Sequence, residues 1–194
     1  VFAPHADDAE IGMGGTIAKY SAEGHKVLIV CAIIPCEAID GSADSLRKKI
    51  RLREATEAAD IIGAELNVLD LDPYKFQFNR EYTKIFDRLM MDFSPSKVFC
   101  PWEYDTHQDH KTLANIVFSI SRKNVSSLYM YESMLPGGIS SHGFNPQLFV
   151  DVSNKIEIKR KSIEIYQSVF EGTDYPEAII GRARHRGQQI GVKY

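Results

Sequence analysis

The chain lacks most of the features that assign a protein to a class at first sight. It has three cysteines among 194 residues, and their odd number and irregular spacing argue against a disulfide framework. A formal net charge of −3 gives no general attraction to nucleic acid or to an anionic membrane. No apolar run approaches the roughly 20 residues that a membrane-spanning helix needs. We therefore expect a cytoplasmic protein with no nucleic-acid partner and no membrane span.

Nucleotide-binding motifs are missing as well. The segment Gly12–Gly15 reads Gly-Met-Gly-Gly, but the last glycine of a G-x-G-x-x-G pattern would fall at Ile17, and no G-x-x-x-x-G-K-[ST] sequence occurs. Close approach of the first helix to the sheet or to a neighbouring loop explains these glycines better. A non-catalytic nucleotide-binding module stays an alternative that this segment alone supports.

The length and the order of apolar segments predict an α/β fold. With 44% hydrophobic residues, residues 1–194 are long enough for a single domain with a substantial core. Apolar runs alternate with segments of helical period, which is typical of a Rossmann-like, mostly parallel sheet flanked by helices. The chain opens inside an apparent strand without methionine, so we expect residues upstream of Val1. The predicted strands are Val1–Ala3, Lys26–Ile34, Leu66–Leu71, Lys97–Cys100, Ser127–Glu132 and Gln147–Val152. The predicted helices are Ile11–Glu23, Leu46–Ile62, Arg80–Phe93, Gln108–Arg122 and Lys155–Ser168.

Two short polar clusters are the most informative features that are present. One covers residues Pro4–Asp8 and the other Asp105–His110, and each lies between a predicted strand and a predicted helix. Because ligands bind in the crevice at the carboxyl ends of parallel strands, folding is expected to bring both clusters to one site. Imidazole and carboxylate suit zinc and similar divalent ions. The pattern therefore predicts a metal-dependent hydrolase.

The residue order within the clusters suggests individual roles. His5 and Asp8 on one tight loop would bind an ion, His110 would complete a three-ligand set, and Asp7 would point to the open position. For the first cluster alone, an equally good interpretation is that its two aspartates cap the following helix. Two histidines and an aspartate within the four residues 107–110 are hard to explain as a cap. The two clusters together therefore favour a metal site.

These segments resemble the PIG-L/LmbE family of metal-dependent N-acetyl-sugar deacetylases. The family's H-P-D-D motif corresponds to His5–Asp8 and its H-x-D-H motif to His107–His110, and Arg51-x-x-Glu54 is a further match. The sequence departs from the pattern at Ala6, which replaces a proline, and at Ala9, which replaces a glutamate. Neither change falls on a ligand position.

The resemblance implies a role for each matching residue. The zinc ligands would be His5, Asp8 and His110, the general base Asp7, and the residue that stabilises the oxyanion His107, with Asp109 to orient and charge its imidazole. Arg51 matches a substrate-binding arginine, although its pattern alone favours a charge on a helix surface.

The expected function is removal of an N-acetyl group from an amino sugar or an N-acetylglucosamine conjugate, with release of acetate. Zinc is the expected cofactor, and iron(II) is the alternative because a His₂Asp set discriminates weakly between them. An amidase or deacylase acting on a non-sugar acyl amine is the alternative activity. The small-molecule substrate would meet the long loops 35–44 and 133–145, and the resemblance makes a homo-oligomer plausible.

Overall fold

A computed structural model describes residues 1–35, 45–122, 125–133 and 142–194. Strands and helices alternate along the first two thirds of the chain, and helices follow. The strands are β1 (Phe2–His5), β2 (Leu28–Ile33), β3 (Glu65–Val68), β4 (Lys97–Pro101) and β5 (Ser127–Tyr131). The helices are α1 (Asp8–Ala22), α2 (Ser45–Ile62), α3 (Arg80–Phe93), α4 (Gln108–Ile120), α5 (Ile156–Glu164), α6 (Gln167–Phe170) and α7 (Tyr175–Gln188).

The strands form two parallel ladders, β1-β2-β3 and β4-β5, and β1 lies beside β4 where the ladders meet. The spatial order is therefore 3-2-1-4-5, which is the doubly wound order, with its switch point between β1 and β4. The predicted α/β class with a mostly parallel, Rossmann-like sheet is confirmed.

Alternate residues of the central strands face two different core regions. Phe2 and Val30 pack with residues of α3 and α4, whereas Ala3 packs with residues of α1 and α2, and Cys31 with residues of α2, α5 and α7. Helices therefore cover both faces of the sheet, as an apolar parallel sheet requires. In the described ranges no helix is both long and apolar enough to cross a bilayer.

The glycines of α1 let this helix approach its neighbours closely. A Cβ on Gly12 would stand 2.3 Å from the Tyr131 ring, and one on Gly15 would stand 2.9 Å from Val152. Gly14 faces α5 across ordinary to tight contact distances. The expectation that these glycines serve packing is supported, because a Cβ on each one would meet a neighbouring side chain at 3.3 Å or less.

Two predictions about the C-terminal third were wrong, and one helix there was missed. Residues 147–152 do not form a strand, and the N–H of Val152 donates to the Tyr194 carbonyl instead of to a neighbouring strand. The predicted helix 155–168 is interrupted after Glu164, and α6 begins where the Glu54 carboxylate accepts a 2.9 Å hydrogen bond from the N–H of Ser168. Helix α7 was not predicted at all.

Candidate metal and catalytic site

Both polar clusters lie at the switch point of the sheet. His5 is the last residue of β1, and Asp8 is the first residue of α1. His107 is the N-cap of α4, just after β4, and His110 lies in the first turn of that helix. The predicted convergence of the clusters is present, since a side-chain contact of 3.0 Å joins His5 to Asp109 across 104 positions of sequence.

The geometry of three side chains fits a divalent metal ion. Oδ2 of Asp8 lies 3.2 Å from Nδ1 of His5 and 3.3 Å from Nε2 of His110. A tetrahedral zinc ion with bonds of about 2.0–2.1 Å holds its ligand atoms about 3.3 Å apart. Nε2 of His110 is buried and makes no hydrogen bond within the described ranges, so an ion would satisfy it.

A second combination, the imidazoles of His5, His107 and His110, has ligand atoms within 4.8 Å of one another. We favour the set with Asp8, because its two nitrogen–oxygen separations match a tetrahedral edge and because His107 is the most exposed of the three histidines.

Two further carboxylates hold the histidines in place. The Nδ1 atom of His110 lies 3.0 Å from Oδ2 of Asp105, whose Oδ1 accepts a 2.9 Å hydrogen bond from the N–H of His107. With Nδ1–H committed to a carboxylate, the Nε2 lone pair of His110 faces the predicted metal position. Sequence reasoning assigned no role to Asp105, although it opens the second cluster.

Asp109 makes its closest side-chain contact with a different histidine from the expected one. Its Oδ2 lies 3.0 Å from Nε2 of His5 and 3.9 Å from Nδ1 of His107. Nδ1 of His107 instead accepts a 3.2 Å hydrogen bond from the N–H of Asp109. The carboxylate therefore orients His5, and only its backbone orients His107.

Asp7 has a conformation that a helix cap does not need. It precedes α1 with φ 113°, and its side chain makes no capping hydrogen bond. A non-glycine residue at positive φ costs about 1–3 kcal/mol, which the surrounding structure must offset. Oδ2 of Asp7 lies 4.0 Å from Nη2 of Arg51, and both side chains are nearly buried. The capping interpretation of Asp7 and the surface interpretation of Arg51 are therefore both wrong.

Charges around the cluster separate the two neighbouring aspartates. Burial, reinforced by the charge of Asp8, raises the pKa of Asp7 to about 8, although Arg51 and His5 oppose the shift. Burial also disfavours ionised Asp8, but the nearby His110 and His5 outweigh it and hold the Asp8 pKa below its usual range. One carboxyl is thus suited to exchange a proton near neutral pH while its neighbour stays anionic.

The surroundings of His107 shift the pKa of its imidazole downwards. Burial lowers its pKa, and the neighbouring His5 and His110 lower it further. Since its Nδ1 accepts a hydrogen bond from the backbone, the neutral ring carries its proton on Nε2. His107 therefore offers a donor at Nε2 without being charged.

The residues outside this cluster include one of the three cysteines and the two long loops. Cys100 is a fully buried thiol whose pKa is raised to about 12 by burial, so it serves packing. Most of the two long loops, at 36–44 and 134–141, falls outside the described residues, and their predicted contact with substrate stays a prediction.

Known proteins resemble the chain in sequence and in fold. The family model for GlcNAc-PI de-N-acetylase (PIG-L) matches residues 1–121. The diacetylchitobiose deacetylase of Thermococcus kodakarensis is 27% identical over 187 residues, covering 86% of this chain and 68% of that protein.

Two solved structures extend the comparison. A conserved protein of Thermus thermophilus superposes with a TM-score of 0.83 and 26% identity, covering all of this chain and 89% of the other. The N,N'-diacetylchitobiose deacetylase of Pyrococcus horikoshii gives 0.80 and 26%, covering all of this chain and 79% of the other. Because the family match spans more than half of the chain and includes both polar clusters, the chain belongs to the PIG-L (GlcNAc-PI de-N-acetylase) family.

Proposed function

We propose that the protein is a zinc-dependent deacetylase that hydrolyses the N-acetyl group of an amino sugar or of an N-acetylglucosamine conjugate and releases acetate. The observation that carries this proposal is the convergence of His5, Asp8 and His110 beside Asp7, a nearly buried carboxyl that faces Arg51. Membership of the family and the deacetylases among the relatives support the same activity.

The three proposed ligands would hold the metal ion at the carboxyl ends of β1 and β4. When bound, zinc supplies a Lewis acid that lowers the pKa of a water from near 16 to about 7. Iron(II) would fill the same role, since two imidazoles and a carboxylate suit both ions.

Asp7 is the proposed general base. The Asp7 carboxylate would take a proton from the attacking water and then deliver it to the leaving amine. Its carboxylate faces Arg51, whereas that of Asp8 faces His5 and His110, so we assign the two aspartates separate tasks. Arg51, whose Nη2 lies 4.0 Å from Oδ2 of Asp7, is the proposed substrate-binding residue. It lies on α2.

His107 is the proposed stabiliser of the oxyanion. Its Nε2–H is available as a donor because Nδ1 is already bonded to the N–H of Asp109. Removing one such donor typically costs about 100- to 1000-fold in rate. Asp109 supports the site through His5, whose ring it holds at 3.0 Å.

We further propose that residues 1–194 work as one deacetylase domain in the cytoplasm, with a small-molecule amino sugar as substrate, and that copies of the chain form a homo-oligomer. The low cysteine content supports the compartment.

The first test measures acetate release from N-acetylglucosamine and its conjugates, using metal-stripped protein with and without zinc. Zinc-dependent release is the expected result. Release only from non-sugar acyl amines would replace the sugar deacetylase with the alternative amidase. Failure to bind zinc would overturn the ligand assignment of His5, Asp8 and His110.

The Asp7→Ala variant tests the proposed base. It should bind zinc at wild-type stoichiometry while turnover falls by at least about 100-fold. Asp70→Ala is the matched control, because Asp70 is also an aspartate at positive φ but is paired with Lys48. Near-normal turnover by Asp7→Ala would contradict the assignment.

A further inference from the structure

A group of aromatic rings borders the proposed active site, and nothing above gives it a role. This aromatic platform consists of Trp102, Tyr104, His142 and Phe144. The ring of Tyr104 stacks on His142 at 4.5 Å and meets Trp102 edge to face at 5.6 Å. Trp102 contacts Phe144 in the same edge-to-face manner at 5.7 Å.

The platform is fixed relative to the catalytic residues. It stands on the turn after β4, where the N–H of Trp102 donates to Tyr131 and the N–H of Asp105 donates back to Trp102. Asp105, directly after Tyr104, binds both His107 and His110. One short, hydrogen-bonded turn therefore carries the platform and positions two histidines of the site.

Two rings of the platform, Tyr104 and His142, are exposed, and the other two are half-buried. Tyr104 is 44% exposed although its ring stacks on His142 and meets Trp102. Trp102 and Phe144 also line a cavity of about 360 Å³ along α1 and β5, whose lining includes neither Tyr104 nor the proposed metal ligands.

We propose that Tyr104, supported by Trp102, is the surface on which a pyranose ring of the substrate stacks, and that this contact makes the enzyme prefer sugar amides to acyclic acyl amines. A pyranose ring presents a face of C–H groups, and an aromatic ring offers it a flat, apolar partner with a polar hydroxyl at its edge. The inference rests on the proposed function and adds a residue that determines specificity.

Kinetics with a cyclic and an acyclic substrate test the proposal. Tyr104→Ala should lower kcat/KM for N-acetylglucosamine by about tenfold, which corresponds to about 1.4 kcal/mol, and leave that for N-acetylethanolamine unchanged. Tyr104→Phe should retain the preference, because it keeps the ring. Tyr20→Ala, an aromatic residue near the other end of α1, is the control and should change neither value.

Binding is measurable apart from catalysis, because Trp102 is the only tryptophan of the chain. Glucosamine, the deacetylated product, should change the Trp102 fluorescence of zinc-loaded protein at concentrations where ethanolamine does not. The Tyr104→Ala variant keeps this reporter and should bind glucosamine about tenfold more weakly.

The outcomes separate the two proposals. Equal loss for both substrates, or no loss for either, would overturn the platform while leaving the deacetylase function intact. The absence of any acetate release, together with Tyr104-dependent binding of glucosamine, would overturn the function and support the platform. Glucosamine binding that does not depend on Tyr104 would overturn the platform in either case.

Discussion

Replacing Asp105 by asparagine should weaken metal binding through the tautomer of His110. Asp105 uses both carboxylate oxygens, one for the backbone N–H of His107 at 2.9 Å and one for Nδ1 of His110 at 3.0 Å. Asparagine has only one oxygen, and the backbone N–H has a proton that it cannot move. The amide oxygen will therefore stay with His107, and the amide NH₂ will face His110.

A donor placed against Nδ1 of His110 forces the imidazole proton onto Nε2. Nε2 is the nitrogen that lies 3.3 Å from Asp8, so protonation there removes the lone pair that the proposed metal needs. Loss of a partner behind a metal-bound histidine typically costs about 10- to 100-fold in metal affinity, or about 1.4–2.7 kcal/mol. Asp105→Ala should cost less than Asp105→Asn, because alanine leaves the tautomer free.

The assay is a competition titration of zinc between the protein and a chromogenic chelator, with circular dichroism to verify the fold. Glu103→Gln is the matched control, since it removes a carboxylate from the same turn and should leave zinc affinity unchanged. Wild-type affinity in Asp105→Asn would refute the reasoning. An alanine variant weaker than the asparagine variant would show that the hydrogen-bonded contacts of residue 105, and not the tautomer of His110, decide the zinc affinity.

Two more predictions concern the packing around α1. Gly12→Ala should destabilise the fold by about 1–3 kcal/mol in urea unfolding, because its Cβ would meet the Tyr131 ring at 2.3 Å. The control Gly181→Ala, which has open space in α7, should be neutral or slightly stabilising. Equal effects of the two substitutions would show that the close contact at Gly12 is not needed. Lys159→Met should change how stability depends on pH. Burial, followed by the charge of Arg182, lowers the pKa of Lys159 from 10.5 to about 7. Between pH 7 and pH 10.5 the unfolded chain therefore holds a proton on Lys159 that the folded chain has released. The free energy of unfolding of the wild type should therefore rise with pH over this range relative to that of the variant. An opposite trend in unfolding free energies measured from pH 7 to 10 would contradict the buried, neutral lysine.

The central site was predictable because its residues follow strands. His5 ends β1, and His107 caps α4 just after β4. The carboxyl ends of neighbouring parallel strands lie at the same edge of a sheet, so these residues come together there. Only the alternation of strands and helices was needed for that step. The ligand set required the additional comparison of both clusters with a family motif.

The sequence could not predict which carboxylate pairs with which histidine. Asp109 lies two residues from His107 and 104 from His5, yet its side chain binds His5, because rotamers and helix direction decide which ring it reaches. The strand expected at 147–152 failed for a related reason. Its apolar residues suit a strand, but a strand exists only when a neighbour pairs with it, and Val152 pairs with Tyr194 at the end of the chain.

The glycine-rich start of α1 links the packing of the fold to the chemistry of the site. Lys159 donates to the carbonyls of Glu10 and Ile11 at 2.9 and 2.6 Å, and the missing Cβ of Gly12 lets Tyr131 reach the same turn. Asp7 begins that turn in a strained conformation, which persists only where its surroundings hold it. The contacts of Lys159 and the close approach of Tyr131 at Gly12 therefore brace the start of α1, directly after Asp7 and Asp8.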